Sequence, residues 1–246
     1  MKLIIHGYTG RMGQIVVSMA EQGFKNAETA AKVSPDCPEE KNGCYTALEH
    51  FDGEADCIID FSNRAATKEL LEYAVKREIP VVLATTGQTA EEIEMINKAA
   101  EKIAIFRSAN MSIGIALLAS LAKQTAAAFP NADIEIVETH HNQKLDVPSG
   151  TALLLARKIK EAREDAEFIV GRHENGKRAE KEIGIHSIRL GNETGTHEII
   201  VSTGSETVTL KHKAENRALF AEGALAAAEF ISGKTAGLYD MKDIAG

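Results

Sequence analysis

The chain has 246 residues, 44% of them hydrophobic, and a formal net charge of −8. That is enough apolar material for a packed core without disulfide or metal staples, and the acidic balance excludes a nucleic-acid surface as the principal partner. Cys37, Cys44 and Cys57 show no C-x-x-C spacing, which points to free thiols in a reducing, cytoplasmic setting. No stretch reaches the roughly 18 apolar residues of a membrane span, and the first residues run straight into a strand pattern without a signal-peptide layout.

In chain order, short apolar runs alternate with helical periodicity. "KLIIHG" reads as a buried strand, "RMGQIVVSMAEQ" as a helix closed by Gly23, and "ETAAKV" and "DCIIDF" as further strands. "ATKELLEYAVKR" reads as a helix with Ser62 as candidate cap, and "PVVLATTG" as a strand. "AEEIEMINKAAEK" is a helix opened by a Thr89–Glu92 capping box, and "IAIFRS" at 103–108 is another strand. Such alternation predicts βαβ units and a parallel sheet.

After Asn110 the pattern changes. A long Ala- and Leu-rich helix ends at Pro130, "ADIEIVETHH" alternates as a strand, and "EIGIHSIRL", "HEIIVSTGS" and "ETVTLKHK" predict an antiparallel or mixed sheet. From Arg217 the helical run "RALFAEGALAAAEFIS" offers a small-residue face to the first domain. The expected fold class is α/β: a Rossmann-like dinucleotide-binding domain over 1–111 and 217–246, and an α+β domain with a mixed sheet over 112–216.

Two stretches carry chemistry. "GYTGRMG" sets Gly7, Gly10 and Gly13 between a strand and a helix, spaced G-x-x-G-x-x-G, where backbone N–H groups of a glycine turn can meet a pyrophosphate at a helix N-terminus. The acidic residue that would hold an adenine ribose at the end of the second strand is missing. Ala31 stands at the expected position and Lys32 follows it, which favours NADPH over NADH unless Lys32 is a solvated surface side chain. The second stretch, residues 138–159, sets His140, His141 and Lys144 at a strand end, before Ser149, Gly150 and Thr151 open a helix. Cations facing a helix N-terminus suit a small polycarboxylate; Ser149 also has the simpler reading of a helix cap. Consecutive strand residues point to opposite faces and no H-E-x-x-H spacing occurs, so His140 and His141 argue against a metal site. The remaining histidines read as ordinary surface or core residues, and Asp146 as a loop-orienting residue.

At these residues the sequence resembles the dihydrodipicolinate reductase family. The family's G-x-x-G-R-M-G stands here as "GYTGRMG", and its H-H-x-x-K-x-D-x-P-S-G-T-A as "HHNQKLDVPSGTA". Shorter family-like pieces follow in order: "DFS", "ATTG", "ANMSIG", "IGIHSIRLG" and "GLYDM". The chain departs from the family at Ala84, usually Gly, at Met111, usually Phe, and at "RLG", commonly Arg-Gly-Gly.

The resemblance implies NAD(P)H-dependent reduction of 4-hydroxy-tetrahydrodipicolinate, or of the dihydrodipicolinate formed from it, to tetrahydrodipicolinate in diaminopimelate and lysine biosynthesis. It implies a homotetramer assembled through the central domains, and a tail that rejoins the nucleotide domain. His140 is the candidate acid, with Lys144 as alternative donor or carboxylate anchor. His141, Ser149, Gly150 and Thr151 are the substrate contacts. Gly7, Gly10, Arg11, Met12 and Gly13 form the pyrophosphate loop, with Thr85, Thr86, Gly87, Ala84, Asn110, Met111 and Phe61 toward the nicotinamide, although Phe61 also suits a core position. Same-fold dehydrogenases of other small carboxylates and a non-catalytic nucleotide sensor are the rival readings; the His140–Ala152 block argues against both.

Overall fold

The computed structural model describes residues 1–39 and 41–245. It divides into two compact units, Met1–Ile113 with Ala218–Gly246, and Gly114–Arg217. The first opens with β1 (Lys2–His6), whose last four residues are buried, as expected of a strand covered on both faces. A turn through Gly7 leads to α1 (Arg11–Glu21), which buries Gly13, Val16 and Ala20 at helical spacing; Gly23, in the left-handed conformation, follows its end. Next come β2 (Glu28–Val33), β3 (Cys44–Tyr45) and β4 (Cys57–Asp60). With two residues, β3 is too short to show any periodicity.

The helix α2 (Thr67–Arg77) is entered through a 3₁₀ turn, Arg64–Ala66, and the cap is Asn63 rather than Ser62. Asn63 Oδ1 accepts from the Ala65 N–H at 3.0 Å, whereas the Ser62 hydroxyl donates to Asp60 at 2.6 Å. The buried Asp60 carboxylate requires donors, and Ser62 supplies both its hydroxyl and its N–H. β5 (Val81–Leu83) precedes α3 (Ala90–Ala100), whose capping box forms as predicted: Thr89 Oγ1 accepts from the Glu92 N–H at 3.2 Å and Glu92 accepts from the Thr89 N–H at 2.6 Å. β6 (Ala104–Arg107) follows.

The second unit is built from α4 (Ile113–Ala128), β7 (Asp133–His140), α5 (Gly150–Lys160), β8 (Glu167–Val170), β9 (Glu182–Arg189), β10 (Gly195–Ser202) and β11 (Thr207–Ala214). Its five strands lie in the order β11-β10-β7-β9-β8; β7, β9 and β8 are parallel and β10 is antiparallel to both neighbours, a mixed sheet. Alternation along β7 buries Ile134, Ile136, Glu138 and His140 on one face. There the isoleucines join Leu118 and Ala122 of α4 and Leu155 and Ile159 of α5 in one core. The opposite face, with Val137, His186 and Ile188, stays half-buried or exposed in the chain.

The chain then returns to the first unit through α6 (Ala218–Ile231), β12 (Gly237–Tyr239) and α7 (Lys242–Ala245). α6 buries every residue from Gly223 to Ala228, as a helix apolar all round must. Its Gly223 is obligatory: a Cβ there would lie 1.7 Å from the Met111 carbonyl oxygen. The sheet is parallel throughout, in the order β12-β6-β5-β4-β1-β2-β3. Strand order reverses between β1 and β4, the switch point at which open α/β sheets bind ligands beyond their carboxyl ends.

Candidate active site

The three loop glycines each meet a different requirement. Gly7 turns the chain at φ +81°, and a Cβ there would lie 2.7 Å from the Phe61 carbonyl. Gly10 is the N-cap of α1, with no side-chain cap and no acidic residue in the first turn. Gly13 lets the helix close on the loop, since its Cβ would sit 2.3 Å from the Gly7 oxygen. The result is a cradle of backbone at the positive end of α1, where free N–H groups and the helix dipole favour an anion. Arg11 and Met12 stand at its rim.

Beside the cradle, a cavity of about 360 Å³ is lined by Phe61, Ser62, Asn63, Arg64, Ala84, Thr85 and Thr86. The Thr85 hydroxyl is buried there with no hydrogen-bond partner among the described residues, as a group awaiting a ligand would be. Gly87 follows at φ +85°. Phe61 is half-buried and lines the cavity rather than the core. Asn110 instead shapes the turn before α4, its Oδ1 accepting from the Ser112 N–H at 2.9 Å, and Met111 is buried against α6.

The expected ribose position needs correction. Ala31 is not at the end of its strand: β2 runs to Val33, and Ser34 follows it, with Ser34 Oγ 2.7 Å from Thr9 Oγ1 of the glycine turn. Lys32 lies one residue earlier, in register with Ile5, and lines a separate hollow with Glu21, Glu28, Thr29 and Asn42. The run "ETAAKV" already ends at Val33, so the placing of Ala31 at that end, and not the strand, is displaced by two residues.

In the second unit β7 delivers a buried polar network. Glu138, fully buried, accepts from His140 Nδ1 at 2.5 Å, from both Arg189 terminal nitrogens at 3.0 Å, and from the Ser149 N–H at 3.2 Å. Burial by itself would raise its pKa, but hydrogen bonds from His140 and Arg189 outweigh this and hold the carboxylate at about 2. Ser149 caps α5: its hydroxyl accepts from the Ala152 N–H at 3.1 Å and meets His197 Nε2 at 3.2 Å. The rings of His140 and His197 stand edge to face at 5.2 Å. Burial, and then the neighbouring His140, push His197 down to about 3, so the ring is neutral where it shares a hydrogen bond with the Ser149 hydroxyl.

Past the strand, His141 is half-buried and Lys144 pairs with Asp146 at 2.8 Å. Arg189 also donates to the Asp146 carbonyl at 2.7 Å, tying the loop to β9. Gly150 and Thr151 open α5, a helix with no acidic residue in its first turn. The sequence reading missed Glu138, Arg189 and His197. Glu138 opens the 138–159 stretch just before the family block, Arg189 stands within "IGIHSIRLG", and His197 faces Glu138 across the β7–β10 ladder, a pairing that only the register discloses.

A glycine turn opening a helix at the switch point of a parallel sheet is the arrangement of a dinucleotide-binding domain, the class to which pyridine-nucleotide-dependent oxidoreductases belong. Family profiles agree along the chain: "Dihydrodipicolinate reductase, N-terminus" matches residues 1–111 and "Dihydrodipicolinate reductase, C-terminus" residues 114–245. The chain belongs to the dihydrodipicolinate reductase family. It is 43% identical over 245 residues to a 4-hydroxy-tetrahydrodipicolinate reductase of Caldanaerobacter subterraneus subsp. tengcongensis, covering 99% of this chain and 97% of that one. It is 42% identical over 246 residues to the reductase of the same name from Clostridium novyi, with the same coverage. Among solved structures it resembles dipicolinate-bound dihydrodipicolinate reductase from Paenisporosarcina sp. TG-14, with a TM-score of 0.84, 27% identity, and coverage of 99% of this chain and 98% of that chain.

Proposed function

We propose that the protein reduces 4-hydroxy-tetrahydrodipicolinate, or the dihydrodipicolinate formed from it, to tetrahydrodipicolinate with a reduced nicotinamide cofactor, as a step of diaminopimelate and lysine biosynthesis. The observation that carries this reading is the buried His140, joined through Glu138 to the Ser149-capped N-terminus of α5, within a chain whose two halves both match the family. The backbone around Gly7, Gly10 and Gly13 would hold the pyrophosphate, and Thr85, Thr86, Gly87 and Phe61 would border the nicotinamide. The cofactor supplies the hydride when bound.

His140 delivers the proton that follows, from Nε2, because Nδ1 is engaged by Glu138. Lys144 and His141 bind one substrate carboxylate, and the N–H groups of Gly150 and Thr151 with the Thr151 hydroxyl bind the other. The Lys144–Asp146 pair must yield for Lys144 to do so. Ser149 acts as the cap that orients this turn, since its N–H and hydroxyl are already engaged. A preference for NADPH rests on Lys32 as a nearby cation. If Lys32→Ala leaves the NADPH-to-NADH ratio of kcat/KM unchanged, discrimination belongs to Ser34 at the strand end.

The half-buried sheet face with Val137, Ile200 and Ile188 suits a second copy of the chain, and light scattering is expected to report a homotetramer. The setting is the reducing cytoplasm, consistent with the free thiols of Cys37, Cys44 and Cys57. Among the described residues no helix is long and apolar enough to cross a membrane.

The deciding experiment follows loss of reduced nicotinamide absorbance while a synthase generates substrate from pyruvate and aspartate semialdehyde. Turnover that requires the synthase supports the proposal. Tight cofactor binding without turnover overturns it in favour of a sensor. Within this assay His140→Gln is expected to lower kcat by ~10²–10⁴ with little change in KM.

A further inference from the structure

One buried carboxylate of the second unit takes four hydrogen bonds and is not among the proposed substrate contacts. Glu138 lies on β7 two residues before His140, with its side chain fully buried. Its two oxygens serve three different elements: Oε2 takes His140 Nδ1 on the same strand and one Arg189 nitrogen on β9, while Oε1 takes the other Arg189 nitrogen and the Ser149 N–H at the cap of α5. A carboxylate buried this deeply is costly unless paired, and Arg189 pairs it through two parallel bonds. A core with isoleucines at these positions would be cheaper to build, so the charge calls for an explanation in the chemistry.

We propose that Glu138 is the positioning residue for His140. An ionised carboxylate only accepts, so the proton of the neutral imidazole resides on Nδ1 and Nε2 is left as the atom that takes up and delivers the catalytic proton. The same carboxylate stabilises the imidazolium that constitutes the acid form, and through the Ser149 N–H it fixes the substrate turn relative to the acid. One side chain therefore sets both the protonation chemistry of His140 and its distance from the carboxylate-binding helix end. On the other side Gly195 leaves room for the ring, since a Cβ there would lie 3.0 Å from His140 Nε2. The other titratable or charged groups facing the pair are Arg189 from β9, His197 from β10, with His212 of β11 opposite it, and Lys144 from the loop. None of them replaces a carboxylate at Nδ1.

This inference rests on His140 being the acid, and the test separates the two. In Glu138→Gln the hydrogen bond can persist while the charge is lost, so the imidazolium is disfavoured. The alkaline limb of the kcat profile, where the acid is deprotonated, is expected to move down by about one pH unit or more, with kcat at pH 8 falling about 10-fold and substrate KM changing less than about 3-fold. Glu138→Asp, which restores the charge, is expected to return the limb toward its wild-type position. A folded Glu138→Gln protein with an unmoved limb overturns the proposal.

Nitrogen-15 chemical shifts of His140 in the wild-type protein give an answer that needs no variant. A protonated Nδ1 and bare Nε2 in the neutral ring is the expected result, and the reverse tautomer overturns the proposal even if the variants fail to fold. Should His140→Gln retain full kcat, the acid role falls, while the tautomer measurement still decides what Glu138 does to the ring.

Discussion

At His140 a single imidazole is held between an ionised carboxylate and the open space left by a glycine. Gly195→Ala would press on Nε2, so kcat is expected to drop about tenfold while the affinity for a nicotinamide nucleotide, measured by fluorescence, stays unchanged. Thr151 belongs to the proposed anchor of the substrate, whose contribution is equal in ground and transition states. Thr151→Val should therefore raise substrate KM with kcat preserved; weaker nucleotide binding with a flat KM would assign the turn to the cofactor. His140, Lys144 and the helix-opening Ser-Gly-Thr are legible in the sequence because their residue types and spacing already carry the chemistry. Glu138 is not, because a glutamate in an alternating strand looks the same whether it meets water or a histidine.

Among the elements, α1 and α6 have their positions set by glycines rather than by large apolar side chains. Gly13→Ala would bring a Cβ within 2.3 Å of the Gly7 oxygen and force the phosphate turn open. It should weaken nucleotide binding at least tenfold, whereas a value close to wild type would show that the turn does not bind the nucleotide. Gly223→Ala meets the Met111 carbonyl at 1.7 Å. It should cost about 1–3 kcal/mol in urea unfolding through overpacking within the first unit. Helix and strand existence is readable from periodicity here, as is the capping box of α3. The cap of the 3₁₀ turn that leads into α2 is not: Ser62 and Asn63 are both good caps, and only the buried Asp60, which claims Ser62, decides between them.

For the whole molecule, acid sensitivity follows from the buried network of the second unit. His197 has its pKa lowered from 6.5 to about 3 on folding, so the unfolded chain binds more protons through that interval and stability falls as pH drops below about 6.5. Glu138, lowered from 4.5 to about 2, adds stability above 4.5 that is lost as pH falls toward 2. Urea midpoints measured from pH 7 to 4 should decline, and His197→Asn should flatten the upper part of that decline. An equal slope in the variant would place the titrating group elsewhere.

The sequence by itself determines the alternation that makes a parallel sheet, the change to a mixed sheet after Asn110, the glycine turn, and the block that marks the family. These depend on local spacing, which the chain carries regardless of how it folds. Tertiary structure alone decides that Ser34, just past the end of β2, meets Thr9 of the glycine turn, and that His197, which reads as an ordinary histidine, lies against His140. It also decides that Glu138, Arg189 and Ser149 share one buried charge. Those relations join residues up to 57 positions apart, from His140 to His197, and are created by strand register. The energy of a charge depends on what surrounds it after folding, and spacing along the chain does not encode that.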